Sequence, residues 1–151
     1  MILREATIKD AENIQELIAQ LGYQINLPDL NATIETYKQR GYIQVATVDE
    51  KAVGFITALL IPLFHAKESM CRITALSVHP SYKRHSIGKQ LVNAVEKWSL
   101  DNGCFYLEVT SGEKRKDEAH LFYGSLGYTV YQGVRFQKRI TSKTFIGNAG
   151  H

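Results

Sequence analysis

Residues whose types and spacing could do chemistry gather in two stretches of this chain. The first, Val78-His79-Pro80-Ser81-Tyr82-Lys83-Arg84-His85-Ser86-Ile87-Gly88-Lys89, joins a β-branched run to the most regular helical pattern in the sequence. A helix start exposes unpaired backbone N–H groups and the positive end of the helix dipole, an arrangement that holds anions such as phosphate. Lys83, Arg84, His85 and Lys89 add cationic or basic side chains there, and Gly88 lets backbone approach a ligand closely. A solvated helix start has the same composition, and this segment alone weighs the two readings evenly. The second stretch is Ala119-His120-Leu121-Phe122-Tyr123-Gly124-Ser125-Leu126-Gly127-Tyr128. Ala119, Phe122 and Leu126 repeat at helical spacing, and Tyr123, four after Ala119, falls where a core tyrosine packs.

The elements that must position these stretches follow from periodicity. Ile2 to Glu5 alternates as a first strand, and Thr7 with Asp10 caps a helix whose stripe is Ala11, Ile14, Leu17, Ile18 and Leu21. Gly22 ends it. A second helix, capped by Asn31 or Asp29, runs through Ile34 and Tyr37 to Gly41. Ile43–Val48 and Ala52–Ile61 read as a hairpin about Asp49-Glu50-Lys51. A loop over 62–69 leads to a strand at Arg72–Val78. A helix over Ser86–Asp101 precedes a strand at Phe105–Val109, then a helix over Asp117–Leu126. Tyr128–Tyr131 and Val134–Ile140 form a last pair of strands. Strands that follow one another in places and alternate with helices elsewhere predict an α+β fold, with residues 1–140 as one domain and 141–151 as a polar tail.

Composition narrows the function. The 151 residues are 44% hydrophobic and 22% charged, within the range of ordinary globular domains. No basic flank precedes an apolar run at the N-terminus, and the longest apolar stretch, 52–64, is too short to span a bilayer. The expectation is a cytoplasmic protein without membrane association. Cys71 and Cys104 lack metal-ligand spacing and read as small buried hydrophobes in a reducing compartment. A net charge of +3 suits an anionic ligand without pointing to nucleic acid.

The first stretch resembles motif A of the GCN5-related N-acetyltransferases (GNAT), V-x-P-x-x-[RQ]-G-x-G-[IVL]-G-x-x-L, through Val78, Pro80, Ile87, Gly88 and Leu91. Lys83 stands for the motif's Arg or Gln, and Arg84 and Ser86 stand for two of its glycines. The second stretch resembles motif B, A-x-x-F-Y-x-x-x-G-[YF], without a mismatch. The resemblance extends as a fold-level pattern over residues 2 to 140. It implies a mixed, mostly antiparallel sheet of six to seven strands flanked by about four helices, and transfer of the acetyl group of acetyl-CoA to a primary amine by direct attack. By position, Leu76, Ser77 and Val78 would bind the pantetheine arm through backbone. Lys83, Arg84, His85, Ser86, Ile87, Gly88 and Lys89 would hold the pyrophosphate. Tyr123 would face the leaving thiolate. Gly103-Cys104, Leu107-Glu108-Val109, Arg115 or Lys116 near Ala119-His120, and Val134–Lys138 resemble a small-molecule branch that includes aminoalkylphosphonate N-acetyltransferases. A homodimer is compatible with that branch, and 23–37 with 62–69 would build the acceptor site.

Such chemistry needs a base. An alkylamine with a pKa near ~10.4 is neutral in about one part in two thousand at pH 7, a deficit of roughly 4.6 kcal/mol. In several members of the family a glutamate on the fourth strand meets this need, but Arg72-Ile73-Thr74-Ala75-Leu76 carries no carboxylate. Glu108 on the next strand is the candidate taken here, ahead of His65, Glu68, His79 and His120, with a water relay as its competitor. Two other classes compete with the enzyme. The altered motif A suits a non-catalytic acyl-CoA-binding sensor. Lys83-Arg84-His85 and Lys114-Arg115-Lys116 are the whole case for a nucleic-acid module, and no aromatic residues interleave with them.

Overall fold

A computed structural model describes residues 1–83, 85–112 and 115–142. They fall in two compact units, Met1–Glu113 and Lys114–His151, each described by itself. In the first, β1 (Ile2–Glu5) leads through a short 3-10 turn to α1 (Ala11–Gln20) and α2 (Leu27–Arg40). A run of strands follows, β2 (Tyr42–Val48), β3 (Lys51–Ile61) and β4 (Met70–Val78), and then α3 (Ile87–Asp101) and β5 (Tyr106–Val109). The second unit contributes α4 (Lys116–Ser125). The four expected helices are therefore present.

Local chemistry sets most boundaries. The Asp10 carboxylate accepts the Thr7 N–H at 2.8 Å and receives two hydrogen bonds from Arg4 at 2.7 Å, which ties β1 to the start of α1. Burial would raise the Asp10 carboxyl, but Arg4 and Thr7 outweigh it and hold the group below the ordinary carboxylate range. The cap of α2 is Asn26, whose Oδ1 accepts the Asp29 N–H at 2.8 Å, rather than Asn31 or Asp29. Pro28 in the first turn explains the earlier start, since its missing N–H costs nothing there. Gly41 caps the end of the helix, where a Cβ would lie 2.6 Å from the Ala58 carbonyl oxygen and a side chain has no room. The β2–β3 hairpin turns on Asp49 and Glu50, both at positive φ, the requirement of a two-residue type I′ turn.

The sheet order is β1-β2-β3-β4-β5, antiparallel except for the parallel β4–β5 pair. Among the described residues the sheet has five strands, not the six to seven expected. Tyr128–Tyr131 and Val134–Ile140 form no strand, and Val134, Phe136 and Ile140 stand 81, 92 and 64% exposed. Their β-branched and aromatic alternation supplies propensity, but a strand is stabilised only by a paired ladder and a buried face.

Both faces of the central strands are covered. Phe55 packs with Ile14, Leu17 and Ile34 of α1 and α2, while its neighbour Gly54 sits against Ile87 and Leu91 of α3. Successive strand residues point to opposite faces, so α3 lies across the sheet from α1 and α2. Cys71 and Cys104 are free and buried as expected, and burial pushes the Cys71 thiol up to about 11. Among the described residues no helix is long and apolar enough to cross a membrane.

Candidate active site

The site in the first unit starts from an irregularity in β4. Thr57 pairs with Ala75 and Ala58 with Ile73, so Thr74 is an extra residue bulged out of the β3–β4 ladder. Pairing with β5 runs from Met70–Tyr106 to Ile73–Val109 and goes no further. Beyond the bulge, Ala75, Leu76, Ser77 and Val78 keep β3 on one edge, and no described strand pairs with the other. Among the described strands, then, their backbone groups on that side have no ladder partner. The Ser77 hydroxyl is already committed, since it donates to the Leu17 carbonyl at 2.9 Å and anchors α1 to the strand.

The strand then turns into the start of α3. The His79 N–H donates to the Val53 carbonyl at 2.7 Å, and its Nδ1 accepts the Ser81 N–H at 3.2 Å. Pro80 to Tyr82 form a 3-10 turn, with the Tyr82 ring edge-on to His79. Lys83, His85, Ser86 and Lys89 are exposed, whereas Ile87 is 2% exposed and pins the helix to the core. Ser86 takes the left-handed conformation, φ 60°, and its side chain makes no cap. Ser86 thus leaves the first N–H groups of α3 uncapped by its side chain, and the first turn holds no acidic side chain. Arg84 lies outside the described residues. The structure thus brings Leu76, Ser77 and Val78 together with Lys83, His85, Ser86, Ile87, Gly88 and Lys89 as one path from strand edge to helix terminus.

Glu108 sits in register with Arg72 across the β4–β5 pair, and the Arg72 guanidinium donates to its carboxylate. A carboxylate held in this way serves first as a cross-strand tie. His65, Glu68 and His120 are exposed, and His79 is spent on the turn.

In the second unit, Tyr123 lies edge-on to Phe122 and Tyr128, with ring centroids 4.9 and 5.6 Å away. The Tyr128 N–H reaches the Tyr123 carbonyl and the Gly127 N–H the Gly124 carbonyl, a Schellman cap that requires Gly127 at its φ of 90°. Motif B is thus in part a helix stop. Burial pushes the Tyr123 phenol up to about 12, against a lowering influence of Arg115.

A cavity of about 160 Å³ draws Leu30, Thr33, Ile34 and Tyr37 from the 23–37 stretch expected to build the acceptor site, and nothing from 62–69. Ile14, Ile18, Leu30 and Ile34 wall it from the helices, and Ile43 and Phe55 from the sheet. Its polar lining is hydroxyl only: Thr33, Tyr37, Thr57 and the bulged Thr74. Tyr37 donates to Thr74 Oγ1 at 2.8 Å, and Thr74 and Thr57 share a second bond at 2.8 Å. Ala75, next to the open strand edge, belongs to the same lining. No local sequence signal links residues 37, 57 and 74; the bulge and the packing of α2 bring them together.

Residues 9–128 match the profile of the Acetyltransferase (GNAT) family. Over 60 residues the chain is 30% identical to a probable N-acetyltransferase HLS1 of Arabidopsis thaliana and 33% identical to an HLS1-like protein of the same plant. Each alignment takes in 40% of this chain, which spans only about 15% of the length of these curated relatives. Among solved structures, the aminoglycoside N-acetyltransferase AAC(6')-Iy in complex with CoA superposes with a TM-score of 0.78 at 20% identity, over 91% of this chain and 93% of that one. A transcriptional regulator from Bacillus halodurans C-125 gives 0.79 at 22% identity, over 91% and 99%. The aminoglycoside acetyltransferase meta-AAC0020 from an uncultured soil metagenomic sample, in complex with sisomicin, gives 0.75 at 21% identity, over 93% and 96%. At such identities the superpositions speak for the fold.

Proposed function

We propose that this chain, which belongs to the acetyltransferase (GNAT) family, transfers the acetyl group of acetyl-CoA to a primary amine of a small molecule in the cytoplasm. The observation that carries this reading is the edge of β4 beyond its bulge, which no described strand pairs, running into an α3 start without acidic residues. An extended pantetheine fits the first feature and a pyrophosphate the second. The CoA bound to the structural neighbour AAC(6')-Iy supports the choice of donor. The reading takes residues 1–140 as one catalytic domain.

In the reaction the amine lone pair forms the new N–C bond, the thioester C–S bond breaks, and the electron pair leaves on sulfur. Leu76, Ser77 and Val78 offer backbone groups to the pantetheine. Lys83, Arg84, His85 and Lys89 surround the pyrophosphate with charge, and the N–H groups from Ser86 to Gly88 point at it. Tyr123 serves as a hydrogen-bond donor to the departing sulfur. With its phenol near 12 against a thiol near 8.5, full proton transfer would be uphill by about 5 kcal/mol. A hydrogen bond to developing charge needs no such transfer. Glu108 receives the amine's proton through water, its carboxylate held in place by Arg72.

One pair of observations favours a non-catalytic acyl-CoA sensor instead: Ser86 is strained where the family motif has glycine, and the Glu108 carboxylate is engaged by Arg72. Titration of acetyl-CoA by calorimetry, followed by a thiol-release assay with amines, separates the readings. Saturable binding with turnover supports the enzyme, binding without turnover supports the sensor, and no binding removes both.

A further inference from the structure

We infer that the cavity between α1, α2 and the sheet receives the apolar body of the acceptor, so that the substrate class is a compact aryl- or alkylamine with a single amino group. The inference rests on the acyltransferase reading and names the substrate of that same site. Three observations carry it, and the first is composition. Among the described residues no charged side chain lines the cavity. A polycationic amine taken from water into such a space would lose its hydration without gaining a carboxylate. Nor does a lysine or arginine line it to hold a phosphonate, which sets this inference against the aminoalkylphosphonates that the sequence resemblance implied.

Size is the second. The volume of about 160 Å³ is close to the roughly 150 Å³ of an apolar cavity that accepts benzene. One phenyl ring or a branched alkyl group fills it.

The third is the hydroxyl chain at the mouth, where Thr33 and Thr74 are exposed. Tyr37, Thr74 and Thr57 bring three O–H protons and make two hydrogen bonds to one another. One O–H, on Thr74 or Thr57, is left to donate, and open lone pairs remain to accept an amine N–H. The chain sits on the bulge at Thr74, two residues before Leu76, where the strand edge assigned to pantetheine begins. An amine whose body fills the cavity would therefore rest beside β4. Desolvation there also disfavours the ammonium form, so the cavity selects the neutral amine from solution.

The test measures kcat/KM for phenethylamine, spermidine, sisomicin and 2-aminoethylphosphonate with acetyl-CoA, alongside calorimetric CoA binding. It uses the intact chain and the variants Thr33→Phe, which closes the mouth from an exposed helix position, and Tyr37→Phe. The expected result is at least a tenfold preference for phenethylamine. Thr33→Phe abolishes that preference, and Tyr37→Phe raises the KM for phenethylamine about fivefold, with CoA affinity unchanged in both. A preference for a polycation or the phosphonate, no turnover of phenethylamine, or indifference to Thr33→Phe, with CoA still bound, overturns the inference and leaves the donor site standing. Loss of CoA binding in the unmodified chain overturns the acyltransferase reading, and the inference with it.

Discussion

Ser86 holds a backbone conformation that costs an L-residue about 1–2 kcal/mol, at the point where the strand path becomes a helix terminus. Its side chain offers no cap in return. Ser86→Gly is therefore expected to raise unfolding stability by about 1 kcal/mol, read from urea denaturation. It should not weaken acetyl-CoA binding, because the ligand would be held by the N–H groups of that turn. Weaker CoA binding in this variant would show that the serine hydroxyl itself contacts the ligand. Tyr123 separates packing from chemistry at the same scale. Phenylalanine preserves the edge-on contacts to Phe122 and Tyr128 while removing the donor. Tyr123→Phe should lower kcat about a hundredfold and leave the acetyl-CoA Kd within about twofold. A kcat within the same range as the parent would return Tyr123 to the role of a packing residue, the one its helical spacing suggests.

Between elements, the Arg4–Asp10 pair joins the first strand to the first helix, and its charge makes that joint sensitive to pH. The Asp10 carboxyl in the folded chain lies below its ordinary value of 3.8. A group lowered by folding contributes stability that is full above the unfolded value and is lost as pH falls through the folded one. Asp10→Asn should cost about 2 kcal/mol near neutrality. The gap between variant and parent should close below pH 3.8, as followed by thermal melts across the acid range. A constant gap over that range would mean that the amide loses packing rather than charge. The stop of α4 illustrates a different economy of elements. The glycine and aromatic of motif B also build the Schellman cap, so a sequence match there reports helix geometry as well as chemistry.

At the scale of the whole molecule, a ligand that binds only the folded chain must stabilise it. Acetyl-CoA at about a hundred times its Kd should add roughly 2.7 kcal/mol, seen as a rise in Tm that follows the logarithm of ligand concentration. No rise at saturating CoA would leave the family's fold without its donor. Helices, strand order in the chain, the hairpin and the two motifs were legible in the sequence, since periods of 3.6 and 2, turn residues and short motifs are local properties. The final strand pair was not, because Tyr128–Tyr131 and Val134–Ile140 have the composition of strands but no partner in the described sheet. The engagement of Glu108 by Arg72 was equally hidden, since it depends on β4–β5 register across 36 residues. The bulge at Thr74 could not be seen either, and with it went the hydroxyl chain and the apolar cavity. By itself, then, the sequence determined the four helices, the first five strands and the two family motifs, all carried by contiguous residues. Tertiary structure alone decided the cavity proposed for the acceptor, because Tyr37, Thr57 and Thr74 meet only when a helix and two strands, each indifferent to the others along the chain, pack around it.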